Sequence, residues 1–272
     1  MQGESNEHES ACRKVADRFP ERWLRLYVFA KLRSDPVFPA AYQLLRETSQ
    51  PVTDLGCGVG LLAFYLRERN CHMPITGVDC DKRKIERARE IARRNYEGVS
   101  FRETQARRSV PREGHIAVFD LLHYLSPNDQ SDLLDQLASR LSPGCLLLIR
   151  DCPRDAGPRY WLTHLAERLA QVTTWNLKTP LYFPSRDEIG SVFNEEHFAH
   201  ATRSLWGRTP FNNHLFVFRR RGGVTAPAPE GRSDNLHSLG DAKSVRGSGG
   251  ETPGPRDGAL RGVGESHRDA PA

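Results

Sequence analysis

The sequence predicts an α/β protein with a doubly wound, mostly parallel seven-stranded sheet, a closing antiparallel hairpin, an N-terminal helical cap and a disordered C-terminal tail. Three observations predict it. From residue 51 onward, short apolar runs alternate with amphipathic segments, as in sheets whose parallel strands are joined by right-handed helical crossovers. The loop at 207–213 is too short for such a crossover, so its flanking strands pair antiparallel. Residues 222–272 contain 11 of the 22 glycines and no aromatic residue, too little apolar surface for a core.

The first 50 residues divide into two parts. Residues 1–18 are polar and are predicted to form a flexible head. Residues 19–50 are predicted to form a cap of two helices. The first carries an apolar stripe at helical spacing, made by Trp23, Leu24, Tyr27, Val28 and Leu32. The second begins at Asp35-Pro36, because Asp caps free amides and Pro is tolerated in a first turn.

The alternating region, 51–221, is predicted to form one domain. Its predicted strands are 51–55, 75–79, 99–102, 115–119, 145–149, 200–206 and 214–220. Its predicted helices are 61–66, 82–95, 130–141 and 160–171. The remaining segment, 222–272, is the predicted tail.

Composition excludes several classes of protein. The net charge of +5 is mild and no dense basic run with interleaved aromatic residues is present, so we expect no nucleic-acid partner. Six cysteines form no C-x-x-C pair and no metal-ligand spacing, and no metal site is predicted. The longest apolar runs have the length of buried strands rather than membrane spans. The first ten residues lack the form of a secretory signal, so a cytoplasmic location is expected.

A glycine-rich loop, Asp54-Leu55-Gly56-Cys57-Gly58-Val59-Gly60, lies between the first strand and the next helix of the alternating region. Glycines there allow a sharp turn and a close approach of ligand atoms to the backbone. The amides at the start of the helix favour a carboxylate or a phosphate. A dinucleotide fingerprint has the spacing G-x-G-x-x-G, whereas this loop has G-x-G-x-G. The loop therefore predicts a ligand other than a dinucleotide.

Two aspartates narrow the ligand further. Asp54 precedes the loop, where it repels a pyrophosphate but can help to hold an ammonium group. Asp79 ends the second strand, where a carboxylate can accept hydrogen bonds from both ribose hydroxyls. Each aspartate could instead cap its own turn. Together they fit a ligand with an adenosine, a carboxylate and an ammonium group, which is S-adenosylmethionine (SAM).

The glycine loop together with Gly77-Val78-Asp79 resembles the Rossmann-like class I SAM-dependent methyltransferases, over residues 51–221. The resemblance implies that Gly56, Gly58 and Gly60 border the methionine part of SAM. It also implies that Asp54 supports the ammonium group, that Asp79 binds the ribose and that Cys80 lies beside the adenine. At the adenine amine, where the family often has Asp, this chain has Gln105-Ala106, whose glutamine carbonyl can accept the same hydrogen bond.

The segment after the fourth strand supplies the catalytic candidates. In the family it lines the donor and acceptor pockets, so Asp120 is expected to meet the methionine ammonium or an acceptor group. His123 is a candidate general base because its unperturbed pKa is near neutrality, and Tyr124 could orient the acceptor. The alternative is that His123 and Tyr124 only pack between strand and helix.

These residues predict a SAM-dependent methyltransferase that acts on a small molecule, at oxygen. The segments 31–36, 122–125 and 209–213 resemble bacterial small-molecule methyltransferases, which are often linked to the biosynthesis of acyl or aryl pigments. Methylation of RNA or protein is the second hypothesis, but the Asn/Asp-Pro-Pro-Tyr/Phe signature of N-methylating enzymes is absent after the fourth strand. A non-catalytic SAM-binding module is the third. The cap is expected to cover the pocket, exclude water and select the acceptor.

Overall fold

The computed structural model describes residues 2–154, 157–172, 180–207 and 210–222. A seven-stranded sheet has the order β3-β2-β1-β4-β5-β7-β6. Its strands are β1 (Val52–Leu55), β2 (Ile75–Asp79), β3 (Val99–Glu103), β4 (His115–Phe119), β5 (Leu146–Asp151), β6 (Phe198–Ser204) and β7 (His214–Arg220). Strands β1 to β5 run parallel, and β7 pairs antiparallel with both β5 and β6. The predicted fold class is confirmed.

Three helices precede β1, and the other helices of the described residues lie between strands. The helices are α1 (Gln2–Asp17), α2 (Arg22–Ser34), α3 (Val37–Leu45), α4 (Leu61–Glu68), α5 (Lys82–Asn95), α6 (Pro127–Arg140), α7 (Pro158–Val172) and α8 (Arg186–Gly190). The short α8 was not predicted. Ser185, the residue just before it, caps its N-terminus and forms a capping box with Glu188. No helix within the described residues is both long and apolar enough to cross a lipid bilayer.

The central strands are buried on both faces. All four residues of β1 and all six of β5 are buried, as expected for strands covered by helices on either side. The edge strand β3 buries only Phe101. The site described below therefore lies at the ends of the most deeply buried part of the sheet.

The prediction of a flexible head over residues 1–18 was wrong, because α1 occupies most of that segment. Its apolar residues Ala11, Cys12 and Val15 are buried, and the helix packs against α2 and α4. Nδ1 of His8 lies 2.7 Å from the hydroxyl of Tyr65 on α4. The polar composition of the segment concealed an apolar stripe at helical spacing, so the cap contains α1 as well as α2 and α3. The predicted tail, 222–272, lies outside the described residues except for Gly222.

Candidate active site

A cavity of about 360 Å³ lies at the carboxyl ends of β1, β2 and β4. Open parallel sheets bind their ligands at this edge, where the strand order reverses. One wall is formed by the glycine loop and by the turn after β2. The opposite wall is formed by the segment after β4 and by Tyr27, Lys31 and Phe38 of the cap. The volume is within the range of small-ligand sites.

The glycine loop has a backbone shape that residues other than glycine adopt with strain. Gly58 has φ +54°, and a Cβ placed there would have no atom within 4 Å, so the loop backbone faces open space. Gly60, which caps α4, has φ +85°, and a Cβ there would lie 2.5 Å from Cζ of Phe101. Glycine is therefore required at the two positions for different reasons. At Gly58 it leaves room for a ligand to approach the backbone, and at Gly60 it leaves room for the ring of Phe101.

Asp79 connects the glycine loop to the turn before α5. Its Oδ2 accepts a hydrogen bond from the amide of Gly58 at 2.8 Å. Its Oδ1 accepts one from the amide of Asp81, also at 2.8 Å. The capping role weighed from the sequence is therefore present. Each carboxylate oxygen has a further lone pair for a ligand hydroxyl, and Asp79 also lines the cavity.

Asp54 lies on β1 opposite Gly77 and Ala117 of the neighbouring strands. Only 3% of its surface is exposed, although it reaches the cavity. Burial, with a smaller contribution from the negative charge of Asp79, raises the pKa of Asp54 to about 7. Asp54 is therefore a carboxyl group that ionises most readily when a positive charge is placed beside it.

Asp120 follows β4 and lines the cavity with a left-handed backbone, φ +53°. Its carboxylate pairs with the guanidinium of Arg150 on β5, and its Oδ2 lies 3.4 Å from Nζ of Lys31 on α2. Asp35, just after α2, binds the same two cations, at 2.8 Å from Nη2 of Arg150 and 2.9 Å from Nζ of Lys31. Two carboxylates and two cations thus form a closed group that joins the cap to the cavity wall.

His123 and Tyr124 lie on a single 3₁₀ turn and occupy different positions. Tyr124 lines the cavity. His123 is 2% exposed and lies behind it, and the centroids of the two rings are 4.4 Å apart. Nδ1 of His123 lies 2.7 Å from Oδ1 of Asp151 at the end of β5. Burial alone would raise the pKa of Asp151, but the adjacent His123 and the amide of Cys152 hold it below its usual value.

The remaining predicted residues are not all brought to the cavity. Cys80 is exposed and lines it beside Asp79. Although the residue as a whole is exposed, its thiol is partly shielded from water, and this desolvation, with the charge of Asp79, raises the pKa of Cys80. Gln105 is exposed, and Ala106 packs against the hydrophobic core; neither is on the cavity wall. Whether Gln105-Ala106 lies beside the adenine therefore stays a prediction, made for residues outside the lining of this cavity.

Sequence reasoning missed several cavity residues. Lys84 on α5 and Asp81 before it border the cavity, as does Leu121. The sequence does contain a signal for Asp81, because Asp is a preferred residue at the N-cap of a helix. In the structure Asp81 caps α5 by accepting a hydrogen bond from the amide of Arg83. The sequence contains no comparable signal for Lys84 or Leu121.

Within the described residues, no group of three or more His, Cys, Asp or Glu side chains is arranged to hold a metal ion.

Residues 52–144 match the family described as "Methyltransferase domain". Among curated proteins, a ribosomal protein L11 methyltransferase of Burkholderia vietnamiensis is 31% identical over 114 residues, or 41% of this chain. The match spans 36% of that relative's own length.

Solved structures with a similar fold are also methyltransferases. Magnesium protoporphyrin IX methyltransferase from Synechocystis PCC 6803, with bound SAH (S-adenosylhomocysteine), has a TM-score of 0.55 and 18% identity, covering 79% of this chain and 98% of that one. The mitomycin 7-O-methyltransferase MmcR has a TM-score of 0.53 and 15% identity, covering 76% of this chain and 60% of that one. At these identities the likeness is one of fold.

Proposed function

We propose that this chain, whose residues 52–144 match a family described as "Methyltransferase domain", transfers a methyl group from SAM to an oxygen atom of a small-molecule acceptor. The observation that carries the proposal is the cavity itself. It places the open backbone at Gly58 between two carboxylates, Asp54 and Asp79, on the carboxyl edge of the sheet. This arrangement suits a nucleoside that ends in a charged amino acid.

Asp79 and the glycine loop hold the donor in this proposal. Asp79 binds the ribose hydroxyls through the lone pairs that the amides of Gly58 and Asp81 leave available. Asp54 and Asp120 face the ammonium group, and Asp54 becomes ionised as that charge arrives, since burial raises its pKa to about 7. The amides of the glycine loop and of the first turn of α4 receive the carboxylate.

Methyl transfer is an in-line displacement. A bond forms between the acceptor oxygen and the methyl carbon, the carbon–sulfur bond breaks, and its electron pair stays on sulfur to give SAH. The chain contributes alignment, with Tyr124 on the acceptor side of the cavity. His123 lies behind Tyr124 and does not line the cavity, so in this proposal it positions the ring of Tyr124 rather than contacting the acceptor. Asp151 at 2.7 Å holds the imidazole in place, and the hydroxyl proton is released to solvent.

Methylation of a protein is the alternative. It is favoured by the similarity to ribosomal protein L11 methyltransferases over 114 residues. The match covers only 41% of this chain and 36% of that relative's length, so it carries little information on the acceptor. Methylation of a small molecule is supported by Tyr27 and Lys31 of the cap, which contribute to the wall of the cavity.

Calorimetry tests the donor site directly. We expect the wild type to bind SAM and SAH with dissociation constants in the micromolar range, about −8 kcal/mol, and to bind no NAD. Asp79→Ala should abolish or greatly weaken both interactions. Tight binding of NAD with no response to SAM would overturn the assignment. Donor binding without SAH formation from any phenol, carboxylic acid or L11 protein tested would favour a non-catalytic module.

A further inference from the structure

Helix α2 is apolar on two opposite sides. Its inward residues Leu24, Val28 and Leu32 are buried, and the helix packs against α1 and α4. Its outward side carries Trp23, Leu26 and Tyr27, which are 57%, 62% and 44% exposed. Single exposed apolar residues are common, whereas a cluster on one helical face marks an interaction surface. We call this cluster, Trp23, Leu26 and Tyr27, the outer α2 face.

Positive charge flanks the outer α2 face. Arg22 and Arg25 are exposed beside it, and α2 contains no acidic residue. Arg25 donates hydrogen bonds to the backbone carbonyl of Phe19, at 3.2 and 3.3 Å, so its charge is not neutralised by that partner. The acidic residue just before the helix, Glu21, is bound by Arg87 of α5. The surface therefore combines exposed rings and aliphatic chains with a net positive charge.

The outer α2 face is continuous with the cavity. Tyr27 belongs to both, since it is 44% exposed and also lines the cavity. Lys31, one helical turn further on, lines the cavity as well. A molecule that covers the outer α2 face would therefore lie at the entrance used by the acceptor.

We propose that the outer α2 face binds the surface of an anionic phospholipid bilayer. Helices with exposed Trp and Leu between basic residues lie in the headgroup region of such membranes, with attraction from the anionic lipids. This proposal has a consequence that rests on the proposed methyltransferase function. The methyl acceptor is then an amphipathic molecule presented at the bilayer surface. Tyr27 then lies where that molecule passes from lipid to cavity.

A second copy of this chain suits the same surface less well. A two-fold contact brings identical patches together. The interface would then contain Arg22 and Arg25 of both copies, with no acid in α2 to compensate, and like charges across an interface are costly. An anionic lipid headgroup satisfies the same charges.

Sedimentation with phospholipid vesicles tests the proposal on the full chain. We expect binding to phosphatidylcholine vesicles containing roughly 30% phosphatidylglycerol, and little binding to phosphatidylcholine alone. Salt should weaken it, because exposed charges are screened. Leu26→Gln should lower the partition coefficient about tenfold, and Arg22→Gln with Arg25→Gln should remove the preference for anionic lipid.

Leu165→Gln is the matched control, since Leu165 is 55% exposed beside the exposed Trp161 and Leu162 on α7, a helix that, unlike α2, contains an acidic residue, Glu167. It should leave vesicle binding within roughly twofold of the wild type. Equal loss in both leucine variants, or no vesicle binding by the wild type, would overturn the proposal. A dimer in light scattering that Leu26→Gln dissociates would assign the face to a second copy instead.

Calorimetry separates this proposal from the methyltransferase function. Leu26→Gln should bind SAM as the wild type does, because Leu26 does not line the cavity. Vesicle binding with no SAM binding would leave the membrane surface standing and remove the proposed reaction. SAM binding without vesicle binding would overturn the membrane surface and leave the proposed methyl transfer standing.

Discussion

Nη2 of Arg150 lies 2.8 Å from Oδ2 of Asp35, and both side chains are 5% exposed. This contact joins β5 at the centre of the sheet to the turn between α2 and α3. A buried ion pair costs desolvation energy, and here each partner has a second counter-ion, Asp120 for Arg150 and Lys31 for Asp35. The cap is thus held by charges that also define the cavity wall.

Removing Arg150 should release the cap. Arg150→Met leaves the buried carboxylate of Asp35 without its main partner, and we expect a loss of about 3 kcal/mol of unfolding free energy in urea. The double variant Arg150→Met with Asp35→Leu should recover most of it. A single variant as stable as the wild type would contradict a structural role for the pair.

Acid should weaken the same contact. Burial alone would raise the pKa of Asp35, but Arg150 and Lys31 lower it to about 2. A carboxyl group whose pKa is lower in the folded state stabilises the fold above its unfolded pKa of about 4 and loses that contribution as pH falls toward 2. The free energy of unfolding, measured against pH, should therefore fall over this range in the wild type. In Asp35→Asn this part of the fall should be absent.

Asp54 should behave in the opposite way. Its pKa of about 7 in the fold exceeds the unfolded value of about 4, so its contribution to stability is largest below pH 4 and is lost as pH rises through 7. Asp54→Asn should therefore melt at a higher temperature than the wild type at pH 8, with the difference shrinking at pH 5. SAM should bind more weakly to the variant. A lower melting temperature at pH 8 would contradict the buried, proton-binding carboxyl group.

Two glycine substitutions should have different effects. Gly58→Ala points a methyl group into the cavity, so SAM affinity should fall at least about tenfold for a loss in stability of roughly 1 kcal/mol. Gly60→Ala places its Cβ 2.5 Å from Phe101 and should mainly lower the melting temperature. Adding Phe101→Leu should return part of that loss. Equal effects of both glycine variants on SAM affinity would contradict the division of roles.

His123 should matter for turnover more than for donor affinity. His123→Ala should reduce SAH formation at least about tenfold with any acceptor found, while SAM affinity changes by less than roughly threefold. The variant also leaves Asp151 buried without its imidazole, so its melting temperature is the necessary control. His123→Gln, which retains a polar group, should fold better and remain slow. Unchanged turnover would remove His123 from the mechanism.

The parts of the fold that sequence could predict are local. Alternating apolar runs defined the strands because a buried parallel strand is short and apolar throughout. The glycine loop was recognisable because positive φ angles, such as +85° at Gly60, favour one residue type. Asp54 and Asp79 were placed correctly on the cavity because the carboxyl ends of parallel strands share one edge.

The parts that sequence could not predict depend on distant contacts or on weak patterns. Asp35 and Arg150 are 115 positions apart, and neither has a local signal for the other. The burial of His123 depends on Phe183, whose ring stacks on the imidazole from a distant loop. Helix α1 was missed because its few apolar residues are surrounded by charged ones. Gln105-Ala106 was placed by family resemblance, which does not fix the course of a loop.

The hydrogen bond from the amide of Gly58 to Asp79 has a consequence for the kinetics of recognition. Since the loop is already folded around this carboxylate, little backbone order has to be created when a nucleoside arrives, and the entropic penalty of association is small. The rate of association should therefore be limited by access past the cap rather than by rearrangement of the loop. The lifetime of the complex should depend on the same access.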